Sequence, residues 1–256
     1  MDGTPAFTDA WGATYRLVEP GSFLFGSTGP NASPFEQPAN EVAIVEPFFL
    51  GERLVTQAQW MDIMGENPSK FQEGWSAGLR PVERVNFNDI VDFLHQLNER
   101  EKGESRLGLE GAWRLPSEVE WEYAARAGTE TRWAFGDKDA ELDEYGWHAG
   151  NAGGHTREVG LKKPNPWGFF DMNGLVSEWC SDDWVPHLEG DRGQPPFLLA
   201  SATRKVVRGG SWFTESDSTR NGARASAPLE KRSDGLGFRL VWAPYRRGLI
   251  TEPHPQ

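Results

Sequence analysis

The sequence predicts an α+β fold: a single compact domain with a few helices on short, twisted antiparallel strands, and much ordered loop. Capped, periodic helix signals occur between Thr56 and Gly128, and no further long one follows. Residues 129 to 244 instead mix Gly, Asn, Pro and Trp with brief strand-like runs, which suits short strands and tight turns. Pro- and Gly-rich pieces are spread along the chain rather than gathered into one linker. The 256 residues therefore read as one domain over 1–256, with its core at about 15–243.

The elements follow in order. "TYRLVEPGSFLFG" (14 to 26) reads as two short strands around Pro20-Gly21, and residues 27 to 40 as a loop rich in Pro, Ser and Asn. "EVAIVEPFFLGERLV" (41 to 55) has β-branched and aromatic residues in strand-like order. Thr56 precedes Gln59 by three, a capping-box spacing, so "QAQWMDIM" starts a helix. Residues 65 to 85 look irregular. A second helix starts at Asn86, with Asp89 in its first turn and Ile90, Phe93, Leu94 and Leu97 on one face, which is core packing. The third has Ser117 as N-cap, Glu120 three later, Gly128 as a stop, and Trp121, Ala124 and Ala125 as its buried stripe. Brief strands are expected at 157 to 160, 205 to 209 and 237 to 242.

Composition bounds the partners. The formal net charge is −12, which repels phosphate backbones. The densest basic groups, Lys231-Arg232 and Arg246-Arg247, are too small to offset it, so no nucleic acid is expected. No apolar run approaches the roughly 20 residues that span a bilayer, so no membrane is expected either. Cys180 is the single cysteine, which rules out an intramolecular disulfide and a cysteine-based zinc site. "MDGTPAFTDAWGATYRL" shows no signal peptide, and a cytoplasmic, reducing location is the expectation.

Seven blocks carry a resemblance to a known family. "GSFLFGS", "EQPANEVAIVEPFFLGERLVTQAQW", "RPVERVNFNDIVDFL", "WRLPSEVEWEYAARAG", "PNPWGFFDMNGLVSEWCSDDW", "RGGSW" and "GLGFRLV" occur in the order seen in the formylglycine-generating enzymes. The resemblance covers about residues 15 to 243 and implies a C-type-lectin-like fold. That superfamily includes sulfatase activators, part of the sulfoxide synthases, oxidases of siderophore maturation, and ligand-displaying variable proteins. Activators hold copper with two cysteines just after the Gly-Gly-Ser block. Those positions match Thr214 and Thr219, which cannot supply the thiolates that copper(I) wants, so sulfatase activation is not expected.

Three residue sets remain as candidates. The resemblance implies a structural calcium site at Asp171, Gly174, Val176 and Glu178, two hard carboxylates with two backbone carbonyls; the i, i+3, i+5, i+7 spacing suits a loop wrapped around an ion. A second calcium site of the family begins at Asn151, but the acidic insertion completing it is absent. His148, His155 and His187, or two of them with Asp182 or Asp183, would be the ligands of a non-haem iron; none forms a tight motif, and a surface or hydrogen-bonding role is the simpler account. His95 and His254 have no such part. Last come the residues around "RGGSWFTESDSTRNGAR". Trp212, Thr214, Glu215, Ser216, Asp217, Thr219 and Arg220 are the candidate ligand-binding residues, with Trp212 packed inward and Arg220 able to anchor a carboxylate or phosphate. Arg224 and Arg239 are assigned to buried backbone carbonyls. Ser211 lacks a nucleophile elbow and is structural, so no catalytic residue is assigned. The expected function is a module that binds an unidentified small-molecule or protein ligand through loops 213 to 223 and 228 to 235. The alternative is a metal-dependent oxidase or oxygenase using iron or copper.

Overall fold

The computed structural model describes residues 4–29, 32–188, 198–199 and 201–245. Arg246-Arg247 and His254 lie outside them. In chain order the strands are β1 (Ala6–Thr8), β2 (Thr14–Val18), β3 (Gly21–Phe25), β4 (Asn40–Ile44), β5 (Phe48–Gly51), β6 (Ser105–Arg106), β7 (Leu109–Arg114), β8 (Ser177–Asp183), β9 (Arg204–Arg208), β10 (Arg224–Pro228), β11 (Leu236–Gly237) and β12 (Val241–Pro244). The helices are α1 (Gln57–Met64), α2 (Phe87–Arg100), α3 (Glu118–Arg126) and the short α4 (Leu142–Tyr145). No helix among the described residues is long and apolar enough to cross a membrane.

The strands make sheets of order β1-β2-β5-β12-β7-β6, β10-β9-β8-β11 and β3-β4, and only the β8–β11 pair is parallel among those described. Strand β5 shows how the layers share a core. Successive side chains of a strand point to opposite faces. Phe49 faces one cluster, with Tyr15, Trp60, Phe93, Trp179 and Phe238. Phe48 and Leu50 face the other, with Phe25, Trp121, Phe169 and Val241. A strand covered on both faces needs an unbroken apolar run, and "FFL" supplies it.

The three capping boxes form as expected. Thr56, Asn86 and Ser117 each accept from a backbone N–H three residues on, and Gln59, Asp89 and Glu120 reciprocate. Helices α1 and α2 meet through Trp60 and Phe93, whose rings stack with centroids 5.1 Å apart. Helix α3 stops at Ala127, already left-handed at φ 47°, one residue before Gly128.

Other expectations need correction. The run 41 to 55 splits into β4 and β5 around Pro47, which has no N–H for a ladder. No strand forms at 157 to 160; Val159 donates to the Leu79 carbonyl from a loop instead. The strand expected at 237 to 242 divides into β11 and β12, with Arg239 turned into the core between them. Ser177 and Glu178, at the end of the proposed ion-binding loop, begin strand β8.

Candidate functional site

Strand β9 ends at Arg208 and passes into Gly209 and Gly210, both at positive φ. A Cβ on Gly209 would stand 3.0 Å from Trp121 Cζ2, and one on Gly210 would stand 2.9 Å from both Thr214 Oγ1 and Thr219 Cγ2. Glycine is required twice, for conformation and for space. The second contact also shows that Thr214 and Thr219 converge on one point. Their hydroxyls are engaged in holding the loop. Thr214 Oγ1 accepts from Ser211 N at 2.9 Å, and Thr219 Oγ1 accepts from Trp133 Nε1 at 3.0 Å.

Beneath this loop lies a buried ionic frame. Arg208 pairs with Glu122 and donates to the Ala223 carbonyl at 2.7 Å. Arg224 donates to Glu118 at 2.7 Å and to the Phe35 carbonyl at 2.6 Å. Arg239 holds both oxygens of Glu178, at 2.6 and 2.8 Å, and the carbonyls of Gly51 and Phe170 at 3.0 Å each. Buried charges persist only when paired and hydrogen-bonded in this way. Arg224 and Arg239 do tie the chain to buried carbonyls, and each also neutralises a glutamate.

Arg220 belongs to the same frame. It is buried and gives two 2.8 Å hydrogen bonds to Glu36, so its cation is spent inside the protein and is not offered to a ligand. Thr219 is buried too. Asp217 is exposed but bridges Arg132 and Arg220, each at 2.9 Å. Ser216 accepts the Thr219 hydroxyl through its carbonyl. Trp212 is half-buried rather than packed inward, with Nε1 donating to the Asp234 carbonyl at 2.9 Å. Of the predicted set, Glu215 and Asp217 stand exposed, and exposed Phe213 and Ser218 lie between its members. Glu215→Ala should therefore change stability by less than about 0.5 kcal/mol. Asp217→Ala should cost more, up to about 1 kcal/mol for exposed ion pairs. Thermal melts of the two variants check the order.

The structure also assembles an aromatic face that the sequence reading missed. The Trp212 ring meets Phe213 edge-on at 4.9 Å and Phe71 at 5.6 Å, and Phe71 lies 6.2 Å from the His155 ring. Phe213 is 47% exposed, and Trp75, four residues beyond Phe71 in the same loop, is 99% exposed. Gly235 is needed here, because a Cβ would stand 2.5 Å from Phe213 Cε1. The available signal was "FQEGW", two aromatics in an irregular polar stretch with no periodicity to bury them. Of the second expected display loop, Asp234 and Gly235 lie against this face.

Glu83 anchors the Phe71 loop. It is fully buried, its Oε1 accepts from Lys70 N and from Phe71 N at 3.1 Å, and its Oε2 has no partner. Burial raises its carboxyl to about 7, against the pull of those two N–H groups. A carboxyl raised in the folded state stabilises the fold below its unfolded pKa, and that contribution is lost as pH rises through the folded value. The loss between about pH 4.5 and 7 reaches at most about 3 kcal/mol. Glu83→Gln keeps the carbonyl acceptor and should remove this component. Urea melts of both proteins at pH 5 and pH 8 test it; an unchanged difference between them at the two pH values would refute it.

The candidate metal ligands sit as follows. Asp171 is buried, with Oδ2 accepting from Gly160 N at 2.7 Å and Oδ1 without a partner. Burial raises its carboxyl to about 6. That orphaned oxygen suits a cation. Glu178 suits one less well, because Arg239 already takes both its oxygens. His148 is held by Asp143 at 2.9 Å, His155 lies on the aromatic face, Asp182 accepts from Glu118 N, and Asp183 pairs with Lys205. Among the described residues no three His, Cys, Asp or Glu side chains come together to hold a metal ion.

Comparison with known proteins identifies the family and the fold. The sulfatase-modifying factor enzyme 1-like domain matches residues 9–244. The chain belongs to that family. The chaperone protein LppX of Paenibacillus barcinonensis is 30% identical over 232 residues, covering 74% of this chain and 76% of the relative. A formylglycine-generating enzyme of Streptomyces coelicolor is 35% identical over 180 residues, 63% of this chain and 52% of the enzyme, so the match spans about half of that relative's length. Among solved structures, Treponema denticola variable protein 1 superposes with a TM-score of 0.84 at 29% identity, covering 95% of this chain and 100% of that one. The expected fold class is thereby established.

Proposed function

We propose that this family member does not activate sulfatases and instead binds polypeptide segments on its aromatic face. The observation that carries the reading is the edge-to-face set Phe71, Trp212 and Phe213, exposed at Phe213 and mounted on a rigid ionic frame. Exposed aromatics grouped on one face mark interaction surfaces. Exposed Glu73 and Glu215 lie in the loops that form it, and the chain carries −12 overall, which favours segments with lysine or arginine beside their apolar side chains. The names of two similar proteins, a chaperone and a variable protein, are consistent with a binding role.

The absence of activation rests on Thr214 and Thr219 at the cysteine positions, and on Cys180, whose buried thiol is pushed well above its usual pKa. Incubation with copper and a cysteine peptide of the sulfatase type is expected to yield no aldehyde; catalytic conversion would overturn the reading. For binding, the probe is reduced, alkylated lysozyme, a basic unfolded chain, titrated against wild type and Phe213→Ala. Saturable binding weakened by the substitution supports the proposal; no binding, or binding indifferent to it, counts against it.

A structural calcium ion completes the proposal, held by Asp171 with the carbonyls of Gly174 and Val176 and with the Glu178 carboxylate nearby. Protein shown to be calcium-loaded should melt lower in chelator. An ion at about 100 times its dissociation constant contributes roughly 2.7 kcal/mol. A melting curve unchanged by chelator would remove the ion from the account.

A further inference from the structure

A cavity of about 250 Å³ opens between the turn at Trp11–Ala13, the run Gly51–Gln59, and Leu79, Val159 and Leu240. None of its lining residues belongs to the aromatic face. Its walls are largely apolar, with Trp11, Leu54, Val55, Leu79, Val159 and Leu240 contributing. The side-chain polar groups Arg53, Thr56 and Gln59 come from one stretch.

Gln59 is the informative residue. It is 5% exposed and serves as the third residue of the α1 capping box. Its Oε1 accepts from Thr56 N at 2.8 Å and from Thr56 Oγ1 at 3.2 Å, which fixes the orientation of the amide. Its Nε2 then donates to no acceptor among the described residues. Glutamate would complete the capping box equally well. Glutamine instead leaves an N–H₂ group at the wall of the cavity, a donor open to whatever occupies it. Arg53 adds charge. Its guanidinium lies over the Phe170 ring at 4.7 Å and reaches Glu52 only at 3.7 Å, so no carboxylate among the described residues hydrogen-bonds it.

We propose that this cavity binds a short apolar molecule ending in a carboxylate, of the medium-chain fatty acid type. The chain packs against Trp11, Leu54, Val55 and Leu240. The carboxylate accepts from Gln59 Nε2 and is neutralised by Arg53. An apolar pocket with a few convergent polar groups is the usual form of a small-molecule site.

Octanoate is the probe, with calorimetry as the readout and octanamide as the uncharged control. Octanoate should bind saturably at one per chain. Gln59→Glu retains the capping box, so its melting temperature should stay near that of wild type while octanoate affinity falls at least about tenfold. Arg53→Gln should weaken octanoate more than octanamide. Ala58→Leu, at an exposed helical position lining the cavity, should weaken both by occupying space. No saturable binding of octanoate, or wild-type affinity for it in both the Gln59→Glu and Ala58→Leu variants, would overturn the proposal. Neither outcome bears on the aromatic face.

Discussion

Arg239→Met is expected to lower the unfolding free energy by about 3 to 5 kcal/mol, the usual cost of removing one partner of a buried pair. Arg239 and Glu178 are both fully buried, and Arg239 also satisfies the carbonyls of Gly51 and Phe170. Its loss leaves a desolvated carboxylate and two unpaired acceptors. For a domain of this size the melting temperature should fall by roughly 6 to 20 °C, at about 2 to 4 °C per kcal/mol. The double variant Arg239→Met with Glu178→Leu should recover much of the loss, because an apolar pair of similar volume avoids the stranded charge. Urea unfolding of the three proteins measures both steps. A single-variant cost below about 1 kcal/mol would mean that the ionic frame does not hold these sheets together. The single variant also frees Glu178, so added calcium should restore part of its stability if the ion binds beside Asp171.

Truncation of Phe213 should weaken binding of reduced, alkylated lysozyme about 30-fold, the equivalent of a 2 kcal/mol hot spot. The fold should tolerate it. Phe213 is 47% exposed and makes its aromatic contact with Trp212, itself anchored by the Asp234 carbonyl. Trp212→Ala would be a poorer probe, since it also removes that hydrogen bond and the contact with Phe71. Glu215→Lys should slow association without a large change in dissociation, and the effect should shrink as salt is added, because a rim charge acts by steering. Affinities measured by calorimetry and rates by surface capture separate these effects. If Phe213→Ala binds as wild type while Glu215→Lys does not, the contact is electrostatic and the aromatic face is not its centre.

The residues show plainly whatever depends on near neighbours. The capping boxes at Thr56, Asn86 and Ser117 each use atoms three residues apart, so residue types and spacing suffice to place the helix starts. The Gly209-Gly210 turn and the Ile90, Phe93, Leu97 stripe are local in the same sense. The ordered blocks also revealed the family, and the missing cysteine pair could be read from two positions. Contacts between distant segments were not visible. Trp121, Ala124 and Ala125 gave no sign that all of α3 would be buried, with Glu118 and Glu122 matched to arginines 106 and 86 residues away. Arg220 reads as a free cation until Glu36, 184 residues earlier, closes on it. Glu178 reads as a calcium ligand until Arg239 arrives between β11 and β12. Phe71 and Trp212 form one face only when their two loops are brought side by side. Periodicity records which side of an element is apolar, but it does not record which charge or ring lies opposite once the sheets have closed, and that opposing group decides whether a residue is part of the frame or part of the binding surface.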